Sequence, residues 1–396
     1  MIITVRTAAV LLLTTIVVLA LLNHRPHLLA SAPLLVASNK PQWKEPRKAW
    51  HTLTGARPRL IGHRGEKAFM PEHTRASYWQ AALESADYIE PDLAVTQDGH
   101  LVVNHNEWLG DNTNVAEIPA LAHLRANKTW DTGEVSMTKT NEWFIADLTL
   151  EQIRMLRVRQ DPRYPWRPSH FDNVFGVLTF AEYLELISEL TARLGRPFGV
   201  VPELKSPKLY NRDRPPHYFE DQAIRLLSEW ANSTEPFSAG LGPVWQSFDQ
   251  DTAEYLAAHT SIPVASLVEN QPRWFTPTGL NRLARFAQII APWKDFFVAG
   301  AESVFLARNI TWNSKEIEKL GGFIKPSDLA REIHQRGMEI AAYTFYDERQ
   351  QMGYTRGFKN REEELFYFFT IGVDYLFVEN IVEARVLRQR FGDLLI

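Results

Sequence analysis

The sequence predicts an α/β protein, and three observations favour a (β/α)₈ barrel. Eight short apolar segments rich in β-branched and aromatic residues follow residue 58, and helical segments separate them. The strand segments are almost continuously apolar, which indicates a parallel sheet covered on both faces. Eight strand–helix units within 396 residues are typical of a TIM barrel. An open, doubly wound sheet of similar size fits the same pattern.

The predicted elements follow one another in regular order. The strand segments are RLIG, YIEPDLAV, FGVVPEL, VWQSF, PVASLV, AQIIAP, EIAAYTFY and VDYLFVE. Helical segments between them include residues 76–85, 251–258, 327–336 and 361–370. The dipeptide Asp98-Gly99 predicts a tight turn that folds LVVN back beside the second strand.

A long stretch between the second and third strands, residues 110–197, exceeds what one strand–helix unit needs. It contains helical segments at 150–158 and 179–194, whereas residues 110–147 are rich in Asn and Thr and lack a clear period. Long segments of this kind are usually functional or form small subdomains. We therefore expect an insertion, about residues 107–178, to lie over one mouth of the barrel.

The amino-terminal residues 1–32 predict a secretory signal peptide or a signal anchor. An uninterrupted apolar run spans residues 7–22, which is short for a membrane span, and a small-x-small cleavage motif ends at Ala32. Residues 33–58 contain prolines and basic residues, and we expect a linker or surface arm there. The barrel should then occupy residues 59–396.

Composition agrees with the secretory pathway and excludes several functions. The chain has no cysteine, which excludes disulfides, thiol catalysis and Cys-ligated zinc. Lys and Arg total 43 against 47 Asp and Glu, so no nucleic-acid partner is expected. We expect the barrel to lie outside the cytosol, secreted or attached to a membrane through residues 7–22, in an oligomeric state that the sequence leaves open. Glycosylation sequons stand at Asn127, Asn232 and Asn309.

Acidic residues occupy the ends of two apolar strand segments. Glu90 and Asp92 alternate along one strand and so point to the same face, although a solvated strand end would also explain them. Glu203 ends the next predicted barrel strand, and Lys205 follows on the same face. In a parallel barrel these side chains meet at the carboxyl-terminal mouth. Three carboxylates without sulfur predict a site for Ca²⁺ or Mg²⁺.

Two histidines occupy comparable positions. His63 ends the first strand, and His105 follows LVVN. A lone histidine there is usually structural, but a pair aimed at a carboxylate cluster predicts acid–base chemistry, because imidazole titrates near neutral pH. Arg64 offers a two-pronged anion donor and Lys205 a point charge. A phosphate between the cation and these side chains would satisfy every group.

Six motifs follow one another along the chain: His63-Arg64-Gly65, Pro71-Glu72-His73-Thr74, Glu90-Pro91-Asp92, TQDGHLVVNHN, PELK and WQSFD. This ordered set resembles the motifs of the glycerophosphodiester phosphodiesterase family. The resemblance runs from Leu60 to Glu383, and the long insertion is similar to that of periplasmic and secreted members. It implies a TIM barrel that hydrolyses small glycerophosphodiesters to glycerol 3-phosphate and an alcohol, with a glycerol hydroxyl attacking phosphorus first.

The resemblance also implies a role for each site residue. The implied residues are Glu90, Asp92 and Glu203 for the divalent cation, His63 and His105 for acid–base catalysis, Arg64 and Lys205 for the phosphate with Glu72 in support, and Tyr343 and Phe345 for the glycerol.

Three positions depart from the usual family pattern. His73 stands where Asn is usual, and Asn106 and Glu379 stand where Asp is usual. These departures bear on rate, substrate preference and pH optimum rather than on the class of reaction.

Two alternative functions fit parts of the sequence. A lipid phosphodiesterase similar to phospholipase D or sphingomyelinase D could use the same barrel, and the aromatic segment APWKDFF would help it reach a bilayer. Toxin-type enzymes of that kind typically carry disulfides and an Asp as third ligand, whereas this chain has Glu203 and no cysteine. Alternatively, a catalytically inactive glycoprotein would only bind phosphodiesters, as Asn106 hints.

Overall fold

Parallel strands form a ring in the part of the chain that the computed structural model describes, residues 49–233, 241–346 and 357–395. In chain order the strands are β1 (Arg59–Gly62), β2 (Tyr88–Ile89), β3 (Asp92–Val95), β4 (Leu101–Val103), β5 (Ala126–Asp131), β6 (Ser136–Glu142), β7 (Gly199–Val200), β8 (Glu203–Leu204), β9 (Trp245–Ser247), β10 (Val264–Val268), β11 (Ile289–Pro292), β12 (Glu339–Phe345) and β13 (Tyr375–Val378).

Helices alternate with these strands. The α-helices are α1 (Arg75–Leu83), α2 (Leu150–Arg154), α3 (Phe180–Leu194), α4 (Pro207–Tyr210), α5 (Tyr218–Ser233), α6 (Gln250–His259), α7 (Pro277–Leu283), α8 (Ala301–Ala307), α9 (Ser314–Lys319), α10 (Pro326–His334), α11 (Arg361–Ile371) and α12 (Ile381–Asp393). Short 3₁₀ turns occur at Val115–Glu117, Pro119–Leu124, Ile145–Asp147, Pro272–Phe275 and Lys294–Phe297.

The strand pairing closes the ring into a (β/α)₈ barrel. β1 pairs with β13 and β2, and parallel pairing continues through β7 and β8 to β9 and then strand by strand to β13. β2 and β3 are halves of one barrel strand, as are β7 and β8, because Pro91 and Pro202 cannot donate to the ladder. Their carbonyls still accept from Glu203 N and Gln246 N, at 2.9 and 3.1 Å. The eight predicted strands and the barrel are thus confirmed, and the open sheet is excluded.

Local sequence signals explain where the helices begin and end. α6 begins after Asp249, whose carboxylate accepts the backbone N–H groups of Asp251 and Thr252. α3 begins with a capping box between Thr179 and Glu182 and ends at a left-handed glycine. Buried apolar residues join these helices to the outer face of the barrel. The predicted segments at 76–85, 251–258, 327–336 and 361–370 correspond to α1, α6, α10 and α11.

The amino-terminal end of the barrel interior is filled by side chains. The Arg59 guanidinium donates to the hydroxyls of Tyr88 and Tyr375 at 3.2 and 2.8 Å, and its charge lies over both rings. An apolar interior layer that includes Ile61 and Phe377 lies within the same ring. The open part of the barrel interior therefore lies at the opposite, carboxyl-terminal mouth, as in other barrels of this type.

The chain between the second and third barrel strands covers part of that mouth. β4 runs antiparallel to β3 after the predicted turn at Asp98-Gly99, and β5 and β6 form a separate hairpin. At the hairpin tip the Glu134 carboxylate accepts the backbone N–H groups of Glu269 and Asn270, at 2.9 and 2.8 Å, in the loop after β10. The hairpin is thereby tied to the far side of the barrel.

One predicted helix is shorter in the structure, and the predicted amino-terminal segment lies outside the described residues. The helix predicted at 150–158 ends at Arg154 in the structure. The chain leaves the helix there because the backbone N–H of Val158 donates to the carbonyl of Phe175, in a later part of the insertion. The predicted signal or anchor at 1–32, with its apolar run at 7–22, lies outside the described residues. Among the described helices, none has both the length and the apolar character to cross a membrane.

The close approach of the hairpin tip to the barrel predicts a stability effect. A Cβ on Gly133, at φ +96°, would lie 2.4 Å from Asp249 Cα, whereas Gly322, at φ +77°, has open space. Gly133→Ala should therefore lower the free energy of unfolding by at least about 1 kcal/mol more than Gly322→Ala. Denaturant titration of both variants measures the difference. Equal effects would show that the tip is not held against the barrel.

Candidate active site

Three carboxylates meet at the carboxyl-terminal mouth of the barrel. Glu90 lies between β2 and β3, Asp92 begins β3, and Glu203 begins β8, directly opposite Asp92 in the register. Each residue offers an oxygen, and these oxygens lie within 4.8 Å of one another. All three residues are buried. We call these three residues the carboxylate trio.

The charges of the carboxylate trio are unequal. Burial and the neighbouring Asp92 raise the pKa of Glu90 well above its usual range, and burial raises the pKa of Glu203 to about 8. Burial would also raise the pKa of Asp92, but Lys205, His105 and a hydrogen bond from His73 hold that pKa well below its usual range. Ionising all three at once therefore requires additional positive charge.

The carboxylate trio fits a divalent cation. Its donor set is three carboxylate oxygens with no sulfur, which suits Ca²⁺ or Mg²⁺. Asp92 Oδ1 is buried and has no hydrogen-bond partner among the described residues. A buried oxygen of this kind is costly unless a ligand satisfies it.

Neighbouring groups form hydrogen bonds with Glu90 and Asp92 and orient their carboxylates. Glu90 accepts the backbone N–H of Arg64 at 2.7 Å and the side-chain amide of Gln246 at 3.3 Å. His73 Nε2 donates to Asp92 Oδ2 at 2.8 Å, and the Tyr78 hydroxyl hydrogen-bonds to His73 Nδ1 at 2.7 Å. His73, a departure from the usual family pattern, therefore orients a candidate cation ligand.

Two positively charged side chains, Arg64 and Lys205, flank the carboxylate trio. Arg64 Nε lies 3.4 Å from Asp92 Oδ2, and Lys205 Nζ lies 2.9 Å from Glu203 Oε1. Glu72 accepts from Arg64 Nη1 at 2.9 Å and pairs with Lys67 at 3.1 Å. Arg64 and Lys205 line the mouth cavity, whereas Glu72 stands behind Arg64 and sets its orientation.

His63 and His105 line the same cavity. His63 Nδ1 donates to Glu379 at 3.1 Å, and His105 Nδ1 donates to the Asn106 side-chain oxygen at 2.8 Å. Burial and the nearby Arg64 lower the pKa of His63 to about 4 and lower the pKa of His105 well below its usual range. Both rings are therefore neutral near pH 7, with the basic lone pair on Nε2.

The cavity at the mouth has a volume of about 710 Å³ and mixes charged and aromatic groups. Tyr343 lines it and donates to Glu269 at 3.2 Å. The prediction for Phe345 is wrong. A register shift between Ala342 and Phe345 turns Phe345 toward the helices, where it packs edge-on against Phe368.

Several residues that line the cavity were not predicted from the sequence as site residues. The insertion contributes Trp108, Glu134 and Tyr164 to the lining. The buried Lys67 also lines the cavity, and Gln246 is predicted only as part of WQSFD. The basic and aromatic run DPRYPWR, within an otherwise patternless insertion, is the one signal that could have drawn attention to this region.

The three sequon asparagines lie on the surface. Asn127 is in β5, Asn232 is near the end of α5, and Asn309 follows α8. All three residues are exposed, so their amides are accessible for modification.

Comparison with known proteins identifies the class of this barrel. The family model for the glycerophosphoryl diester phosphodiesterase family matches residues 63–383. The protein belongs to that family. The matched range contains the carboxylate trio, both histidines and the flanking side chains of Arg64 and Lys205.

Individual relatives agree with this assignment. Glycerophosphodiester phosphodiesterase GDPD6 of Arabidopsis thaliana is 26% identical over 375 residues, which cover 89% of this chain and 93% of the relative. The Haemophilus influenzae glycerophosphodiester phosphodiesterase is 31% identical over 163 residues, which cover 39% of this chain and 41% of that protein.

Solved structures share the fold at lower identity. A Silicibacter pomeroyi protein assigned to the same family matches 87% of this chain and 98% of its own, with a TM-score of 0.55 and 19% identity. An Oleispira antarctica phosphodiesterase, solved in complex with sn-glycerol-3-phosphate, matches 85% of this chain and 99% of its own, with a TM-score of 0.50 and 16% identity.

The raised pKa of Glu203 predicts that cation binding releases protons. A proton competes with the cation for this carboxylate, whose pKa is about 8. Because fewer protons are bound as pH rises, affinity for Ca²⁺ or Mg²⁺ should increase between about pH 6 and 8. Titration calorimetry in buffers of different ionisation enthalpy counts the protons released. Glu203→Gln should lose affinity and release fewer protons than the wild type, with the remaining release coming from Glu90, whose pKa is also raised. A pH-independent wild-type affinity would contradict this account.

Proposed function

We propose that the protein is a divalent-cation-dependent hydrolase that converts glycerophosphodiesters to glycerol 3-phosphate and an alcohol. The single observation that carries this proposal is the convergence of the carboxylate trio, two histidines and two cations on one cavity. The product in the Oleispira antarctica complex, sn-glycerol-3-phosphate, supports the same substrate class. Membership in the family supports the reaction.

The carboxylate trio would hold the cation, and Arg64 and Lys205 would bind the phosphodiester oxygens. A bound Ca²⁺ or Mg²⁺ supplies positive charge that stabilises the charge developing on a phosphoryl oxygen. Arg64 is fixed for this task by Glu72, and Lys205 is positioned beside Glu203. These preoriented cations stabilise the transition state without reorganising.

The two imidazoles would carry protons on either side of phosphorus. The glycerol hydroxyl next to the phosphate attacks, one imidazole accepts its proton at Nε2, and the other protonates the departing alkoxide. The bound phosphodiester anion favours the protonated form of the imidazole that acts as the acid. Water then opens the cyclic phosphodiester with the proton transfers reversed. Asn106 keeps a hydrogen bond to His105 Nδ1, as an Asp would, which argues against an inactive binding protein.

Cation removal and matched variants test the reaction. With glycerophosphocholine as substrate, a chelator should abolish choline release, and either Ca²⁺ or Mg²⁺ should restore it. Glu203→Gln and His63→Ala should lose at least about 100-fold in kcat/KM, because each removes a group that acts on the transition state. Glu254→Gln, an exposed carboxylate on α6, is the matched control. Full activity in chelator would refute the cation assignment.

The lipid alternative is tested with the same enzyme. Glycerophosphocholine should be hydrolysed, whereas sphingomyelin and lysophosphatidylcholine should not. The hairpin tip narrows the mouth of the cavity, since Glu134 crosses it to the loop after β10. Faster hydrolysis of either lipid would favour the lipid phosphodiesterase.

The amino-terminal residues would direct the barrel into the secretory pathway, and the exposed sequons support this location. Expressed in a eukaryotic cell, the full chain should gain glycans on Asn127, Asn232 or Asn309. Glycosidase treatment should increase its gel mobility, and replacing the three asparagines by Gln should remove that change. An unglycosylated cytosolic protein would contradict the proposed location.

A further inference from the structure

Arg167 connects the insertion to the candidate catalytic histidine. Its guanidinium pairs with Glu379, and Glu379 accepts from His63 Nδ1 at 3.1 Å. The side chains of Arg167 and Glu379 are only 1% and 0% exposed, so this ion pair is shielded from water. Arg167 and Glu379 are 212 residues apart in the chain.

The insertion holds Arg167 in a closely packed position. Its guanidinium lies 4.0 Å from the centre of the Tyr164 ring, and its Nη1 donates to Lys67 O at 3.3 Å. The backbone N–H of Arg167 donates to Tyr164 O at 3.0 Å, which makes a tight turn. The turn therefore presents the guanidinium to Glu379 in a defined orientation.

Glu379 interacts with His63, Lys67 and Arg167. Arg167 determines how the other two share this carboxylate. Lys67 Nζ lies 3.6 Å from Glu379 Oε1, the oxygen that also accepts from His63, whereas Arg167 pairs with Oε2. Burial would raise the pKa of Glu379, but Arg167 first and Lys67 second hold it well below its usual range. Without Arg167, Lys67 would compete with His63 for a carboxylate that has lost its closest cation.

We propose that Arg167 is a positioning residue for the reaction: through Glu379 it holds His63 in the tautomer that carries the proton on Nδ1. That tautomer leaves the lone pair on Nε2, the nitrogen required for proton transfer. The insertion would then complete the catalytic apparatus as well as cover the mouth. This inference rests on the proposed hydrolase function.

Kinetics of Arg167 variants test the inference. Arg167→Met should lower kcat about 10- to 100-fold, the usual cost of removing a group that orients a functional imidazole, with KM and cation affinity close to wild type. Added guanidinium should partly restore Arg167→Ala. Arg159→Met is the matched control, because it removes another ion pair of the insertion, with Glu117, and neither residue lines the cavity.

A spectroscopic readout separates this inference from the proposed function. In ¹⁵N-histidine-labelled protein, the His63 ring should carry its proton on Nδ1 in the wild type and show a mixture of tautomers in Arg167→Met. If the wild type hydrolyses no phosphodiester, the proposed function fails. The comparison of the His63 tautomer in wild type and Arg167→Met still shows whether Arg167 orients the His63 ring.

Two outcomes would overturn the proposal. One is an Arg167→Met enzyme whose kcat lies within about twofold of wild type. The other is a kcat loss explained by unfolding alone, with the His63 tautomer unchanged and no restoration by guanidinium. A loss of kcat with a changed tautomer and an unchanged melting temperature would support it.

Discussion

Mutual repulsion within the carboxylate trio is the constraint on which the rest of the site depends. Three buried carboxyl groups within 4.8 Å cannot all be ionised without compensating charge. Ion pairs link the trio to a larger set. Asp92 pairs with Arg64, Glu203 with Lys205, and the chain of pairs continues through Glu72 and Lys67 to Glu379 and Arg167. With every group ionised, this set holds five carboxylates and four cations, a net charge of −1. A divalent cation reverses that sign, and a phosphodiester monoanion then brings the set to neutrality. One divalent cation and one phosphodiester anion would thus balance the charge of this linked set.

Barrel geometry places these charges together. Asp92 and Glu203 are opposite each other in the register of β3 and β8, so hydrogen bonding of the backbone sets the spacing of their side chains. Pro91 and Pro202 each remove one donor from the ladder at the same level, directly before Asp92 and Glu203. The amino-terminal end is packed with Tyr88, Tyr375 and Arg59, which leaves the opposite mouth for ligand. The side chains that pack the barrel interior and those of the candidate site therefore lie at opposite ends of the barrel.

Local sequence pattern predicts the part of the site that follows strand alternation. Glu90 and Asp92 could be placed on one face because alternate strand residues always share a face. Phe345 could not be placed correctly, because the register shift after Ala342 depends on pairing with β13. The pairing of Arg167 with Glu379 depends on a turn within the insertion that has no periodicity to reveal it. The carboxyl-terminal boundary of α2 likewise depends on a contact with Phe175, distant in sequence.

The most direct test of this account is a crystal structure grown with Mn²⁺, whose anomalous scattering locates the ion, in the presence of glycerol 3-phosphate. We expect one ion bound by oxygens of Glu90, Asp92 and Glu203, with a phosphate oxygen as a further ligand and Arg64 and Lys205 on the remaining phosphate oxygens. A cavity in which the ion binds elsewhere, or in which phosphate binds while the three carboxylates hold no ion, would contradict the central claim.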